Sequence, residues 1–122
     1  MKVVLGLGGT DESIRALEET VERGVAVGDV LIVAVLDNLE APRSPREMAA
    51  EAERSLERAD IDGDVRILDG DPGPALVDLA EAEDADQVVI GGGVETPMGK
   101  IRLGPITEFV LLNASTTVKL VR

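Results

Sequence analysis

The chain of 122 residues has no cysteine, no histidine, no tryptophan and no tyrosine, and Phe109 is its one aromatic residue. Without thiols or imidazoles there are no disulfides, no cysteine nucleophiles, no Ser-His-Asp triads and no usual zinc ligands. Any metal must be held by carboxylates, carbonyls and water, which means a hard ion such as magnesium. Basic residues are few: 12 Lys plus Arg stand against 24 Asp plus Glu, a net charge of −12. A field of that sign repels phosphate backbones and anionic membrane surfaces, and no basic patch in the sequence offsets it, so neither nucleic acid nor membrane is expected as a partner. Long apolar runs are absent too, and Asp11-Glu12 interrupts the apolar start before a signal peptide forms. The expected location is the cytoplasm. Acids spread over every segment suit a halophilic cytoplasm, where high salt screens their repulsion.

What is present is aliphatic. Hydrophobic residues make up 44% of the chain, and its length suits one domain, residues 1–122, that buries roughly two thirds of its unfolded surface. Residues 3–7, 30–36 and 87–90 are nearly unbroken β-branched runs, as expected for parallel strands covered on both faces. Residues 65–68 and 117–121 carry charges inside the run and belong nearer the sheet edges. Between these runs lie helical patterns. Ile14, Leu17 and Val21 form one apolar stripe. Ser44-Pro45-Arg46-Glu47 is a capping box with Pro at the first helical position, starting a helix to about Ala59. Asp71-Pro72 and Gly104-Pro105 start two more. The order is βαβαβαβαβ, and right-handed crossovers make this an α/β fold with a single doubly wound, five-stranded parallel sheet and helices on both faces.

In such a sheet the ligand crevice lies at the carboxyl ends of the strands where the winding reverses. The first strand ends in Gly8-Gly9-Thr10 and the fourth in Gly91-Gly92-Gly93, so if these strands are neighbours their glycine turns face each other. The first turn also reads as a plain strand-to-helix turn with Thr10 or Asp11 as N-cap. Three glycines in succession exceed what a turn requires. A glycine loop leading to a helix start turns backbone N–H groups toward an anion such as a phosphate. Lys100 and Arg102, basic residues in that loop, are either phosphate partners or solvated charges. Thr107 either meets an anion or bonds back to its own helix.

With that order of elements, the residues resemble the universal stress protein family over essentially the whole chain. Gly8-Gly9-Thr10-Asp11-Glu12-Ser13-Ile14-Arg15-Ala16-Leu17 is similar to the family's Asp-Gly-Ser turn and Ser-x-x-Ala-Leu helix, and Gly70-Asp71-Pro72 to its Gly-Asp-Pro start. The resemblance implies a Rossmann-like sheet of strand order 3-2-1-4-5 and a non-catalytic stress-response protein. It also implies an adenine-nucleotide site, ATP with magnesium in nucleotide-binding members. The family's phosphate segment runs Gly, two residues, Gly, nine residues, Gly, then Ser or Thr. Gly91 and Gly104 match it, but Val94 takes the place of the second glycine unless Gly93 serves, and Pro105 that of the Ser or Thr. The family Asp at the adenosine end falls on Gly8, while Val35 matches a position beside the adenine. Losing a charged hydrogen bond at Gly8 costs about ten- to a hundredfold in affinity, and Pro105 removes a hydroxyl and a backbone donor at the other end. Weak or absent ATP binding is therefore expected.

Two enzyme or cofactor readings stand beside this one. Leu7-Gly8-Gly9-Thr10-Asp11-Glu12-Ser13 is a near miss to the Ser-Gly-Gly-x-Asp-Ser loop of ATP pyrophosphatases, which share this general fold, and a flavoprotein-like electron-transfer subunit would need a longer chain and aromatics to stack a flavin. The last strand, with Val118, Leu120 and Val121 apolar, leaves an edge of unpaired backbone groups for which Lys119 is the one charged guard. Homodimerisation through Thr116, Thr117, Val118, Lys119, Leu120 and Val121 is expected, and the resemblance implies the same.

Overall fold

The computed structural model describes residues 1–122, except for the side chains of Val94 and Glu95. The elements run β1 (Lys2–Leu7), α1 (Asp11–Val27), β2 (Val30–Val35), α2 (Pro45–Arg58), β3 (Gly63–Ile67), α3 (Pro72–Ala82), β4 (Gln87–Gly91), β5 (Val94–Glu95), β6 (Ile101–Arg102), α4 (Pro105–Asn113) and β7 (Thr117–Val121). One parallel sheet has the order β3-β2-β1-β4-β7. This is the expected 3-2-1-4-5 arrangement, with β7 as the fifth strand. Only β5 and β6 are additional, a short antiparallel hairpin between β4 and α4. Two residues per strand are too few for a period-2 pattern to register.

The sheet is doubly wound because its strands bury alternate side chains on opposite faces. Val3, Leu5 and Leu7 of β1 and Leu31, Val33 and Val35 of β2 pack with Leu17 of α1 and Met48 and Leu56 of α2. Val4, Ile32, Ala34, Val88 and Ile90 pack on the other face with Leu76 and Val77 of α3 and Val110 of α4. Burying each Leu or Ile fully contributes about 1.5–3 kcal/mol relative to leaving it in water. The charged strands β3 and β7 lie at the two edges, where one side of each needs no ladder partner.

Helix starts follow their local chemistry. The Thr10 hydroxyl accepts from the Ser13 N–H at 3.2 Å and so caps α1. The Ser44 hydroxyl accepts from the Glu47 N–H at 3.2 Å and donates to the Glu47 carboxylate at 3.2 Å, so the capping box closes through side chains. Asp71 and Gly104 cap α3 and α4 with no side-chain hydrogen bond. That leaves first-turn N–H groups of α4 without a cap.

Candidate functional site

Winding reverses between β1 and β4, which are neighbours in the register Gly6↔Ile90. Their glycine turns consequently open into one crevice, about 270 Å³ in volume, at the carboxyl ends of the strands. That is near the lower limit of small-molecule pockets, roughly 300 Å³. Gly8, Thr10 and Glu12 form one wall, Gly91, Gly92, Gly93 and Arg102 another, and Gly104, Pro105, Ile106 and Thr107 a third, with Leu36, Asn38 and Glu40 at the remaining end.

The glycines of the two turns do unlike jobs. A Cβ on Gly91 would lie 2.5 Å from the backbone of Glu12, so glycine is what lets the first turn of α1 approach β4. At Gly92 it would lie 2.6 Å from the Thr107 hydroxyl, and Gly93 has φ +83°. Packing accounts for Gly91 and Gly92 and the turn's positive φ for Gly93, and all three line the crevice as well. Gly9 is likewise required, with φ +80° and the Arg43 carbonyl 2.6 Å from where a Cβ would stand. Gly8 and Gly104 differ: a Cβ on Gly8 meets only Asn38 Nδ2 at 3.6 Å, and one on Gly104 meets nothing within 4 Å. Both sit in the crevice wall at positions where a side chain would protrude into open space.

A strap of residues 37–43 bounds the first end. Asn38 Nδ2 donates to the Gly8 carbonyl at 3.0 Å, and its Oδ1 accepts from the Glu40 N–H at 3.3 Å. Arg43 donates to the Gly9 carbonyl at 3.2 Å and pairs with Asp11 at 3.0 Å. The first turn of α4, whose N–H groups no side chain caps, offers positive potential to the crevice, and the cationic residue Arg102 is part of the lining. Glu12 and Glu40 bring negative charge to the same small space.

Of the residues singled out from the sequence, Gly8, Thr10, Gly91, Gly92, Gly93, Arg102, Gly104 and Thr107 line the crevice. Gly9, Val35 and Lys100 lie outside that lining: Gly9 supports the strap, Val35 is fully buried in the core, and Lys100 is exposed in the hairpin. The Thr107 hydroxyl turns toward the Gly91 carbonyl, at 3.5 Å, rather than back along its helix. Ser13, the last residue of the near-miss pyrophosphatase loop, is buried, and its hydroxyl donates to the Thr10 carbonyl at 2.7 Å. Sequence reading missed Leu36, Asn38, Glu40 and Ile106, which no motif marks, and gave Glu12, inside the first turn's motif, no role at the site. It also missed Arg122, whose aliphatic stem lies against Gly93, Cγ and Cδ each 3.3 Å from the position of a Cβ there. Among the described residues no group of three carboxylates is arranged to hold a metal ion, and no helix is long and apolar enough to cross a membrane.

Comparison with known proteins bears on this site. A family model described as the universal stress protein family matches residues 1–122. The stress response protein NhaX of Bacillus subtilis (strain 168) is 30% identical over 76 residues, covering 62% of this chain and 46% of NhaX, so the match spans about half the length of that relative. The solved universal stress protein of Archaeoglobus fulgidus superposes with a TM-score of 0.81 at 23% identity, covering 100% of this chain and 98% of that one. A universal stress protein solved in complex with cAMP gives a TM-score of 0.77 at 27% identity, covering 100% of this chain and 97% of that one.

Proposed function

The chain belongs to the universal stress protein family, and from that premise we propose that it is a non-catalytic stress-response protein of the cytoplasm that works by binding and assembly, taking an adenine nucleotide weakly. The observation that carries this reading is the polarity of the crevice. Its α4 end, with Gly104 open and Arg102 in the wall, suits a phosphate, and its Leu36 and Gly8 end suits an uncharged group. The complex of a related universal stress protein with cAMP supports the same class of ligand. ATP would arrive with magnesium on its own phosphates. Each added phosphate nevertheless brings negative charge beside Glu12 and Glu40, and Pro105 offers no N–H or hydroxyl to receive it.

Titration calorimetry on the full chain is expected to give a dissociation constant for ATP in the high micromolar range or weaker. A low-micromolar value overturns the reading of weak binding. Arg102→Ala is expected to weaken nucleotide binding about two- to tenfold, the range for a water-exposed charged contact. Lys100→Ala is expected to change it less, because Lys100 does not line the crevice. Assembly is proposed to be a homodimer through the open edge of β7, residues 116–121.

A further inference from the structure

We propose that a second cavity, at the end of the sheet opposite the crevice, binds a linear aliphatic diamine or polyamine. The cavity is about 320 Å³ in volume, within the range of small-molecule pockets, which starts at roughly 300 Å³. It opens between the carboxyl ends of α3 and α4, where the chain turns into β4 and β7. Its floor is apolar: Val77, Ala80 and Ala85 are buried and Ala114 is half-buried. Glu81 and Asp84 stand exposed on its rim. The Ser115 hydroxyl, from the turn after α4, donates to Glu81 Oε1 at 3.4 Å and tethers that carboxylate across the cavity. The Thr116 hydroxyl is spent on the carbonyls of Ala85 and Asp86 and closes the back.

The negative charge of this rim is left uncompensated. The carboxyl end of a helix carries roughly half a negative charge, and neither α3 nor α4 has a basic residue in its last turn. Two cations lie nearby, and both are engaged on Glu83: Lys2 Nζ donates to its carbonyl at 3.0 Å, and Arg66 pairs with its carboxylate and with Asp64. Among the described residues no ion pair reaches Glu81 or Asp84. The floor then decides which cation fits. A hard metal ion takes oxygen ligands on several sides, and the aliphatic floor offers it none. No aromatic residue lines the cavity, which removes the contact that holds a quaternary ammonium. A chain of methylenes gains from the same floor, up to about fourfold in affinity for each one fully buried. Ammonium groups at its two ends meet the two carboxylates.

The test is calorimetry of the full chain with 1,4-diaminobutane and, as a probe of equal charge, magnesium chloride. In about 0.1 M potassium chloride the Debye length is about 10 Å, which suppresses diffuse attraction to the acidic surface. The diamine is expected to bind at one site, about fourfold or more tighter than magnesium. Glu81→Gln combined with Asp84→Asn is expected to weaken it about fivefold, the product of two exposed ion pairs. Asparagine suits the left-handed backbone of Asp84, φ 50°, so this variant keeps its fold. Ala114→Leu fills the cavity at constant charge and is expected to weaken diamine binding at least as much. Glu18→Gln combined with Glu22→Gln removes the same charge from the exposed face of α1, on the other side of the sheet, and is expected to leave binding unchanged. Should Ala114→Leu melt the fold, the Glu81 and Asp84 variant decides alone. Magnesium binding as tightly as the diamine, an equal loss in the α1 variant, or full affinity in the Glu81 and Asp84 variant overturns the inference.

Discussion

A glycine is informative only when its surroundings are known, and Gly91 and Gly104 are opposite cases. At Gly91 the obstacle is backbone, the Glu12 carbonyl carbon and oxygen 2.5 Å from a Cβ, which cannot rotate away. Gly91→Ala is thus expected to destabilise the fold by about 2 kcal/mol or more, as overpacking does, and Gly104→Ala to leave stability within about 0.5 kcal/mol. Urea melts of the two variants without nucleotide would check this, and equal losses would contradict it. A second residue-scale feature is Asp29, buried between the N-terminal ammonium at 3.0 Å and Arg23 at 3.1 Å. Burial pushes the carboxyl up, but hydrogen bonds from the ammonium and from Arg23, with their charges, outweigh it and hold the group below its usual range. A carboxyl depressed in the folded state stabilises fully above its unfolded value and loses that contribution as pH falls through the folded value. Asp29→Asn is accordingly expected to lower stability at neutral pH and to flatten the acid limb below about pH 4. A natural chain and variant with parallel stability profiles from pH 7 to pH 2 would disprove it.

At the scale of elements, β7 is, like β3, an edge strand with one side unpaired. It pairs with β4 along one side, Gln87↔Thr117 to Gly91↔Val121, and with no other strand among the described residues. Its apolar side chains are already engaged: Val121 is buried in one core, and Val118 and Leu120 pack against the other. Thr116 is engaged as well, its hydroxyl within 3.1 Å of the Ala85 carbonyl and 3.0 Å of that of Asp86. What the edge offers a second copy is therefore the row of backbone N–H and C=O groups of Val118 and Leu120, since the Val121 carbonyl, and with it the alternate positions Lys119 and Thr117, face β4. An isologous pairing satisfies those groups twice over and closes without forming a filament. Light scattering in high salt is expected to show a species of about twice 12.8 kDa, and a lone 12.8 kDa species at high protein concentration would exclude the dimer.

Over the whole molecule, an excess of negative charge governs how the surface responds to its solvent. Carboxylates outnumber cations 24 to 12, so repulsive pairs exceed attractive ones over the surface. Among the described residues six arginines are already matched to carboxylates, including Arg66 with Asp64 at 2.7 Å and Glu83 at 3.0 Å. Added salt screens both kinds of pair, and because repulsion is in excess the folded state gains. The Debye length falls from about 30 Å at 0.01 M to about 3 Å at 1 M. The melting temperature is expected to rise between dilute buffer and molar potassium chloride, and a constant value would refute the halophilic reading of the composition.

Legibility divides along the range of the forces involved. Strand and helix order, the Thr10 and Ser44 caps, the charged edge strands and the membership of the whole chain in one family were all readable in sequence, because period, capping and turn chemistry act within a few residues. The neighbouring glycine turns followed from them once the winding was known, as did most of the crevice wall. The rest depends on contacts between segments far apart in the chain. That Gly91 must be glycine because of Glu12, and that Thr107 crowds Gly92, are contacts between distant segments. Arg102 lines the crevice while Lys100, two residues away, does not, because a hairpin sends its positions to different surroundings. Asn38 enters the site only because its carboxamide reaches the Gly8 carbonyl thirty residues earlier. Local pattern determined the frame of this protein; long-range packing alone decided which side chains face its crevice.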